Sequence, residues 1–242
     1  MVNAAPNRAK RGVWVLIGLV AAGLLVTLGL FVWVFVQPPH DPSINHTSHP
    51  DPAATAKRYL DAIASGDADA AREIDETSFG AYPVQFTGTD LLTNEVLGAA
   101  EERITDVKVK LKGATEERAS VTTSFSLRGE RYVQPLFLVW NKSTESWLAE
   151  ASFAAPINVS AKTGEPGSLR YLPFRVGDSA QLTQTAEADT MMGYVVYPGV
   201  YTVTVELDPA TVVDIDANPL VRDVTVVPDQ DLFPFIEYTV TD

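Results

Sequence analysis

The stretch from Val13 to Val36 constrains this chain more than any other, because its 24 residues are all uncharged and Thr27 carries the only polar side chain among them. As a helix, a stretch of this length extends about 36 Å, and the hydrocarbon core of a bilayer is about 30 Å thick. Trp14 and Trp33 lie near its two ends, where aromatic rings favour the membrane interfaces. We therefore predict that residues 13–36 form a single N-terminal transmembrane helix whose partner is the lipid bilayer.

The charges on either side of this segment predict its orientation. Residues 1–12 contain three basic residues and no acidic one, whereas the first basic residue after the segment is Lys57. Because basic flanks stay in the cytoplasm, we expect a cytoplasmic stub at residues 1–12 and everything from residue 37 outside. A cleaved signal peptide has an apolar run of about 7–15 residues and small residues at the cleavage site. Here the run is longer and QPPH follows it, so we expect a retained anchor in the cell membrane.

Overall charge narrows the range of partners. The formal net charge is −13, and since three of the 18 basic residues precede the apolar segment, 15 remain beyond it against 31 acidic residues. Binding to phosphate groups requires clustered Lys and Arg. We therefore expect no nucleic-acid partner and no basic patch for anionic lipids. The chain contains no cysteine, which excludes disulfides and lipid attachment at cysteine.

Residues 37–52 are predicted to be a linker, because they are rich in proline and nearly free of apolar side chains. They also contain every histidine of the chain, namely His40, His46 and His49. A histidine cluster can bind zinc or copper. The spacing of these three fixes no coordination geometry, however, so we expect a disordered spacer and no metal site.

Residues 53–151 show helical and then strand periodicity, which predicts an α+β domain. Asp51 and Pro52 form a helix start signal, since Asp caps free N–H groups and Pro fits the first turn. Apolar residues at helical spacing predict a first helix ending at Gly66, a second from the cap Asp67 to about Glu76, and a third over about 90–102. From Val107 onward the period changes to two, which predicts an antiparallel meander that ends near Glu150.

Two segments of this part resemble a known family. The run YLDAIASGDADAAREI over residues 59–74, and ESWLAE over residues 145–150, look like the NTF2-like fold. The resemblance implies a helix lying across a strongly bent sheet, with a conical pocket between them. It also implies an extracytoplasmic, membrane-anchored protein of the kind common in bacteria.

The NTF2-like resemblance raises the question of catalysis, because that superfamily includes isomerases and hydrolases with Tyr, Asp or His in the pocket. No histidine follows position 49 and there is no cysteine, so a carboxylate would have to act as the base. The candidates are Asp61 or Asp75, with Tyr59 or Tyr82 as the electrophilic partner. Nothing in the sequence brings two of these groups together. We therefore predict no catalytic residues, no cofactor and no enzymatic activity.

Residues 156–242 lose the helical period and are predicted to form an all-β domain, a small sandwich or barrel of short strands. The run YPGVYTVTV over residues 197–205 is similar to a hairpin of PEGA-like and other Ig-like surface modules. Asp214, Asp216 and Asn218 have the spacing of a calcium loop. Since Pro219 stands where that loop needs glycine, and Thr225 where it needs Glu, we expect a solvated loop and no metal site.

Trp140 and Trp147 flank a turn at residues 141–145, and either they form a platform for a ligand or partner or they pack in the core, which we favour. The whole pattern predicts a membrane-anchored extracytoplasmic binding or scaffolding protein of the bacterial cell envelope. Its expected partners are an envelope protein or a wall polymer. The alternatives are a small-ligand-binding protein or enzyme that uses the conical pocket, and a sensor that signals through the anchor to a cytoplasmic partner.

Overall fold

The computed structural model describes residues 47–75, 88–162, 169–179, 182, 194–207, 219–228 and 235–239. The predicted transmembrane helix at 13–36 and the stub at 1–12 lie outside these residues, as do His40, His46, Tyr82 and residues 214–218. In the part that is described, no helix combines the length and apolarity needed to span a bilayer. Contacts along the chain separate residues 1–43 from a compact unit at residues 44–242, and the following description concerns that second unit.

Three helices occur among the described residues: α1 at Pro52–Ser65, α2 at Ala68–Arg72 and α3 at Asn94–Gly98. The predicted start of α1 is confirmed, because the Asp51 side chain accepts a hydrogen bond from the N–H of Ala53 and Pro52 opens the helix. Its predicted end is confirmed too. Gly66 has a φ of 89°, a left-handed conformation that glycine adopts without steric cost.

Strands form most of the described unit. They are β1 (Glu102–Arg103), β2 (Thr105–Ala114), β3 (Arg118–Leu127), β4 (Glu130–Asn141), β5 (Ser146–Ala149), β6 (Ala155–Lys162), β7 (Leu169–Tyr171), β8 (Phe174–Val176), β9 (Tyr194–Val196), β10 (Gly199–Val205), β11 (Val221–Val226) and β12 (Phe235–Thr239).

Strands β2 to β5 form an antiparallel meander in chain order, as the alternating pattern predicts. The turn between β3 and β4 has positive φ at both Arg128 and Gly129, which suits the right-handed twist of a tight hairpin. One face of the meander packs against α1 around Tyr59, and we call this the helix–meander core. Its largest fully buried side chains are Trp147, Tyr59, Tyr197, Phe125, Leu60, Ile63, Ile74 and Leu92.

The later strands form two further sheets. In one, β10 pairs with β1, β8 and β11, and in the other, β6 pairs with β7, β9 and β12, the β6–β12 pair being parallel. Apolar side chains of both sheets pack together in a second cluster, which we call the β core. Its fully buried members include Ile157, Val159, Phe174, Val176, Val196, Val203 and Val226.

The predicted fold class, an α+β NTF2-like cone followed by an all-β sandwich or barrel, is wrong for the described residues. They are mostly strand, and α2 and α3 contain only five residues each. The expected third helix over 90–102 fails because its apolar residues serve two cores. Leu92 and Leu97 belong to the helix–meander core, whereas Leu91 and Val96 belong to the β core. The chain then extends as β1, where Glu102 pairs with Val200 of β10.

Candidate functional site

The end of the predicted linker lies against the meander. The backbone N–H of Ser48 donates to Glu116 Oε1 at 3.1 Å, and its hydroxyl donates to Oε2 at 2.9 Å. His49 Nε2 lies 3.1 Å from the same Oε2 atom. The indole N–H of Trp147 donates to the carbonyl of Pro50 at 2.8 Å. Residues 48–50 are thus part of the folded unit, and they fix where the chain enters it.

Glu116 is held ionised by these contacts. The backbone N–H of Ser48 lowers the pKa of the Glu116 carboxyl, and the Ser48 hydroxyl and the nearby His49 lower it further. Because the Glu116 side chain is exposed, solvent screens this interaction. The contact therefore positions the linker end without requiring a buried charge.

On its other side, the end of the linker packs against aromatic rings. His49 stacks on Trp140 with ring centroids 3.6 Å apart and planes 11° apart. Trp140 in turn meets Trp147 edge to face at 5.3 Å. Trp147 is buried in the helix–meander core, whereas Trp140 is only half-buried. Trp140 therefore remains accessible at the surface.

An open surface cleft of about 460 Å³ adjoins this stack. We call it the aromatic cleft, and its lining residues are His49, Pro50, Trp140, Lys142 and Glu145.

The turn between β4 and β5 shapes one side of the aromatic cleft. Asn141 Oδ1 accepts a hydrogen bond from the N–H of Ser143 at 2.9 Å, which stabilises the turn. Lys142 Nζ lies 3.1 Å from Glu117 Oε1, and both side chains are exposed. The cleft thus places an aromatic ring beside one cation and one anion.

A second group of polar residues lies inside the unit, around Asp75. We call it the Asp75 cluster: Asp75, Tyr59, Ser152 and Tyr197. Asp75 Oδ2 accepts hydrogen bonds from the hydroxyl of Tyr197 at 2.7 Å and from that of Ser152 at 2.9 Å. The Tyr59 hydroxyl accepts from the N–H of Phe153 at 2.9 Å and lies 3.4 Å from Ser152 Oγ. Asp75 is only 7% exposed, and within the described part of the chain its Oδ1 has no hydrogen-bond partner.

Burial controls the protonation of the Asp75 cluster. It raises the pKa of Asp75, an effect that outweighs the nearby hydroxyls of Tyr59, Tyr197 and Ser152 and the charge of Arg72, which act in the opposite direction. Burial also raises the pKa of both Tyr59 and Tyr197, and the nearby Asp75 carboxyl raises each further. The tyrosines are therefore neutral hydrogen-bonding groups, and the carboxyl holds its proton to a higher pH than an exposed one.

The structure brings together only some of the catalytic candidates considered from sequence. Tyr59 and Asp75 belong to one cluster. Asp61 is instead half-exposed on α1, where Lys57 Nζ donates to it at 2.6 Å. Sequence reasoning missed Ser152 and Tyr197. Tyr197 is 122 residues from Asp75 along the chain, and no local pattern could have connected them.

In the part of the chain that the structure describes, no three or more His, Asp or Glu side chains lie close enough together to hold a metal ion. Of the predicted linker histidines, only His49 falls within that part, and it faces Glu116 and two tryptophans.

Comparisons with known proteins give no family for this chain: no family model, no curated protein and no solved structure matches it. Nothing in the comparisons therefore identifies an NTF2-like or a PEGA-like domain. The described part of the chain is a mostly-β unit with an aromatic cleft at its surface and a protonatable carboxyl cluster inside.

Proposed function

We propose that this protein is a non-enzymatic binding or scaffolding protein of the bacterial cell envelope. Its apolar segment at residues 13–36 anchors it in the membrane, the folded unit lies outside the cell, and the aromatic cleft binds a wall polymer. The single observation that carries the proposal is the accessible Trp140 ring beside Lys142 and Glu145 in an open cleft.

The chemistry of the cleft suits a glycan chain. An aromatic ring contacts the flat C–H face of a sugar through its π-surface, while charged groups at the rim hydrogen-bond to hydroxyl, amide or carboxyl substituents. Pockets for small ligands are concave and bury most of the ligand surface. The aromatic cleft is open, so a polymer can enter and leave it while one ring stacks on Trp140.

The polar residues of the aromatic cleft have roles other than acid–base chemistry. His49 contacts the ionised Glu116, and Lys142 forms an ion pair with Glu117. The Asp75 cluster lies among buried residues, where its groups bond to one another. This arrangement supports binding at the surface and a structural role inside.

Co-sedimentation of the full-length protein in detergent with insoluble cell-wall sacculi tests the proposal. Removing the stacking ring with Trp140→Ala should weaken binding roughly tenfold. The matched control is Phe137→Ala, which removes another exposed aromatic from the same strand but outside the cleft. If both variants bind sacculi as the native protein does, or if both lose binding equally, the cleft is not the binding site.

A second candidate function, small-ligand binding or acid–base chemistry, is favoured by one observation: Asp75 Oδ1 is buried and has no hydrogen-bond partner among the described residues. A ligand that donated a hydrogen bond to this atom would satisfy it. Under our main proposal, Asp75→Asn leaves sacculus binding unchanged. Loss of a soluble ligand's binding in Asp75→Asn, with the melting temperature preserved, would favour the second function instead.

A further inference from the structure

The outer face of the meander carries three lysines in a row. Along β2, Val107, Val109 and Leu111 turn toward the helix–meander core, so the alternate residues Lys108, Lys110 and Lys112 are exposed on the opposite side. None of these three lysines has an ion-pair partner within the described residues, in contrast to Lys57, Arg118 and Lys142.

Apolar side chains run parallel to this lysine row. Lys108 of β2 lies opposite Ser124 of β3, which in turn lies opposite Val133 of β4. In the same way, Lys110 lies opposite Thr122, which lies opposite Pro135, so these two lysines are each two strands away from an apolar residue. At the usual strand spacing the two rows are about 10 Å apart. We call this surface the lysine–apolar face; its members are Lys108, Lys110, Lys112, Val133, Pro135 and Phe137.

The exposure of the apolar row is unusual for this molecule. Three large apolar side chains are exposed among the described residues, and two of them belong to this face: Val133 at 58% and Phe137 at 48%. The acidic composition predicts no basic patch, yet strand alternation concentrates unpaired cations beside exposed apolar groups. A surface of this kind suits a partner that is both anionic and apolar.

We propose that the lysine–apolar face docks on the anionic lipid surface of the membrane that anchors the chain. Lysines bind anionic headgroups, and the neighbouring apolar side chains enter the interfacial region. This inference rests on the proposed anchor. Only residues 37–46 separate the predicted transmembrane segment from Thr47, and ten residues reach at most about 36 Å. The tether therefore keeps the folded unit close to a lipid surface.

Other features of the unit agree with this docking. Phe137 and Trp140 are three residues apart on β4, so they lie on opposite faces of the sheet, and lipid on one face leaves the aromatic cleft accessible. A second copy is a poorer occupant, because a two-fold dimer through this face would bring six unpaired lysines together.

The chain contains no cysteine, so single cysteines can be labelled without ambiguity. The full-length protein carrying Val133→Cys would be labelled with an environment-sensitive fluorophore and reconstituted in nanodiscs of neutral lipid or with about 30% phosphatidylglycerol. The matched control is Val221→Cys on β11, since Val221 is 56% exposed. With a spin-labelled lipid as quencher, we expect the label at position 133 to be quenched at least threefold more than the label at 221, and only in the anionic nanodiscs.

Two perturbations test the electrostatic contribution of the lysines to docking. Combining Lys108→Gln, Lys110→Gln and Lys112→Gln should lower the ratio of docked to undocked protein roughly 100-fold. Raising the salt to about 0.5 M should act in the same direction, because it shortens the Debye length.

Equal quenching at the two positions, or in the two lipids, would overturn the docking proposal. So would a spectral shift at position 133 without lipid quenching, because it would show that a second copy or another protein covers the face. If the full-length chain does not enter nanodiscs at all, the proposed anchor fails and docking fails with it. If the chain enters and position 133 is not quenched, docking alone is refuted.

Discussion

At the scale of single residues, Asp75 is the group with the most unusual surroundings. Its carboxyl is buried, one oxygen accepts from Tyr197 and Ser152, and the other has no partner in the portion of the chain that the structure describes. Among the described residues, the charge that acts on its pKa is that of Arg72, and the neighbouring titratable groups are Tyr59 and Tyr197, which burial keeps neutral. A buried carboxyl in such a site is less costly when it is protonated.

The first prediction concerns pH. Because the pKa of Asp75 is raised in the folded state, its contribution to stability is fully present below the unfolded pKa of about 3.9 and is lost as the pH rises through the folded value. Asp75→Asn should remove this loss, so the variant should gain melting temperature relative to the native protein as the pH rises. The control is Asp61→Asn, which alters an exposed ion pair. If the melting temperatures of the native protein and of Asp75→Asn changed in parallel with pH, they would contradict a raised pKa of Asp75 in the folded state.

The second prediction concerns the hydroxyl of Tyr197. Tyr197→Phe removes a buried donor to Asp75 Oδ2 and should lower the free energy of unfolding by about 1–3 kcal/mol. Tyr132→Phe makes the same chemical change where the hydroxyl donates to the exposed Glu130, and it should cost less than about 0.5 kcal/mol. Denaturant titration followed by tryptophan fluorescence measures both. Equal costs for the two variants would show that the buried hydrogen bond adds no stability.

Among the elements, those specified by local chemistry are the ones that sequence predicts. The first helix follows from Asp51, Pro52 and Gly66, and the strand alternation of the meander from neighbouring residues. The sequence does not predict the third helix correctly, because the positions of Leu91 and Leu92 depend on two cores assembled from distant strands.

For the candidate sites, too, the sequence indicates some of the residues but not the long-range contacts between them. The sequence draws attention to Trp140 and Trp147 and, separately, to Tyr59 and Asp75. The docking of His49 on Trp140 and the hydrogen bond from Tyr197 depend on tertiary contacts, and periodicity carries no information about them.

The third prediction tests the close approach between Gly88 and β9. A Cβ atom at position 88 would lie 2.2 Å from Cδ1 of Tyr194, so Gly88→Ala must displace that ring and should cost about 1–3 kcal/mol. Gly98→Ala at the end of α3 meets nothing within 4 Å and should be neutral or slightly stabilising. Melting temperatures of the two variants compare them directly, and a similar shift for both would contradict the packing described.

At the scale of the whole molecule, each of the two predicted parts, 53–151 and 156–242, contributes side chains to the core that the other part mainly forms. Val195 and Tyr197 lie in the helix–meander core, and Val96 of α3 lies in the β core. Strand β1 also pairs with β10. The early segment therefore depends on the later one for part of its core.

The fourth prediction follows from these shared cores and from the pairing of β1 with β10. A chain ending after residue 155 loses Val195, Tyr197 and strand β10, so it should be degraded by protease under conditions in which residues 44–242 of the full-length protein survive. Limited proteolysis with mass spectrometry gives the fragments. A protease-resistant core from the shortened chain would show that its first part folds alone.

The most direct test of the proposed function is photo-crosslinking in living cells whose wall glycan is isotopically labelled. A photoreactive amino acid replaces Glu145 at the aromatic cleft, and Val221 is the control position. We expect labelled glycan to become attached to the protein cross-linked at 145 and not at 221, which would also place the cleft outside the membrane. Absence of wall label at both positions, or equal labelling at the two, would contradict a wall-binding role for this cleft.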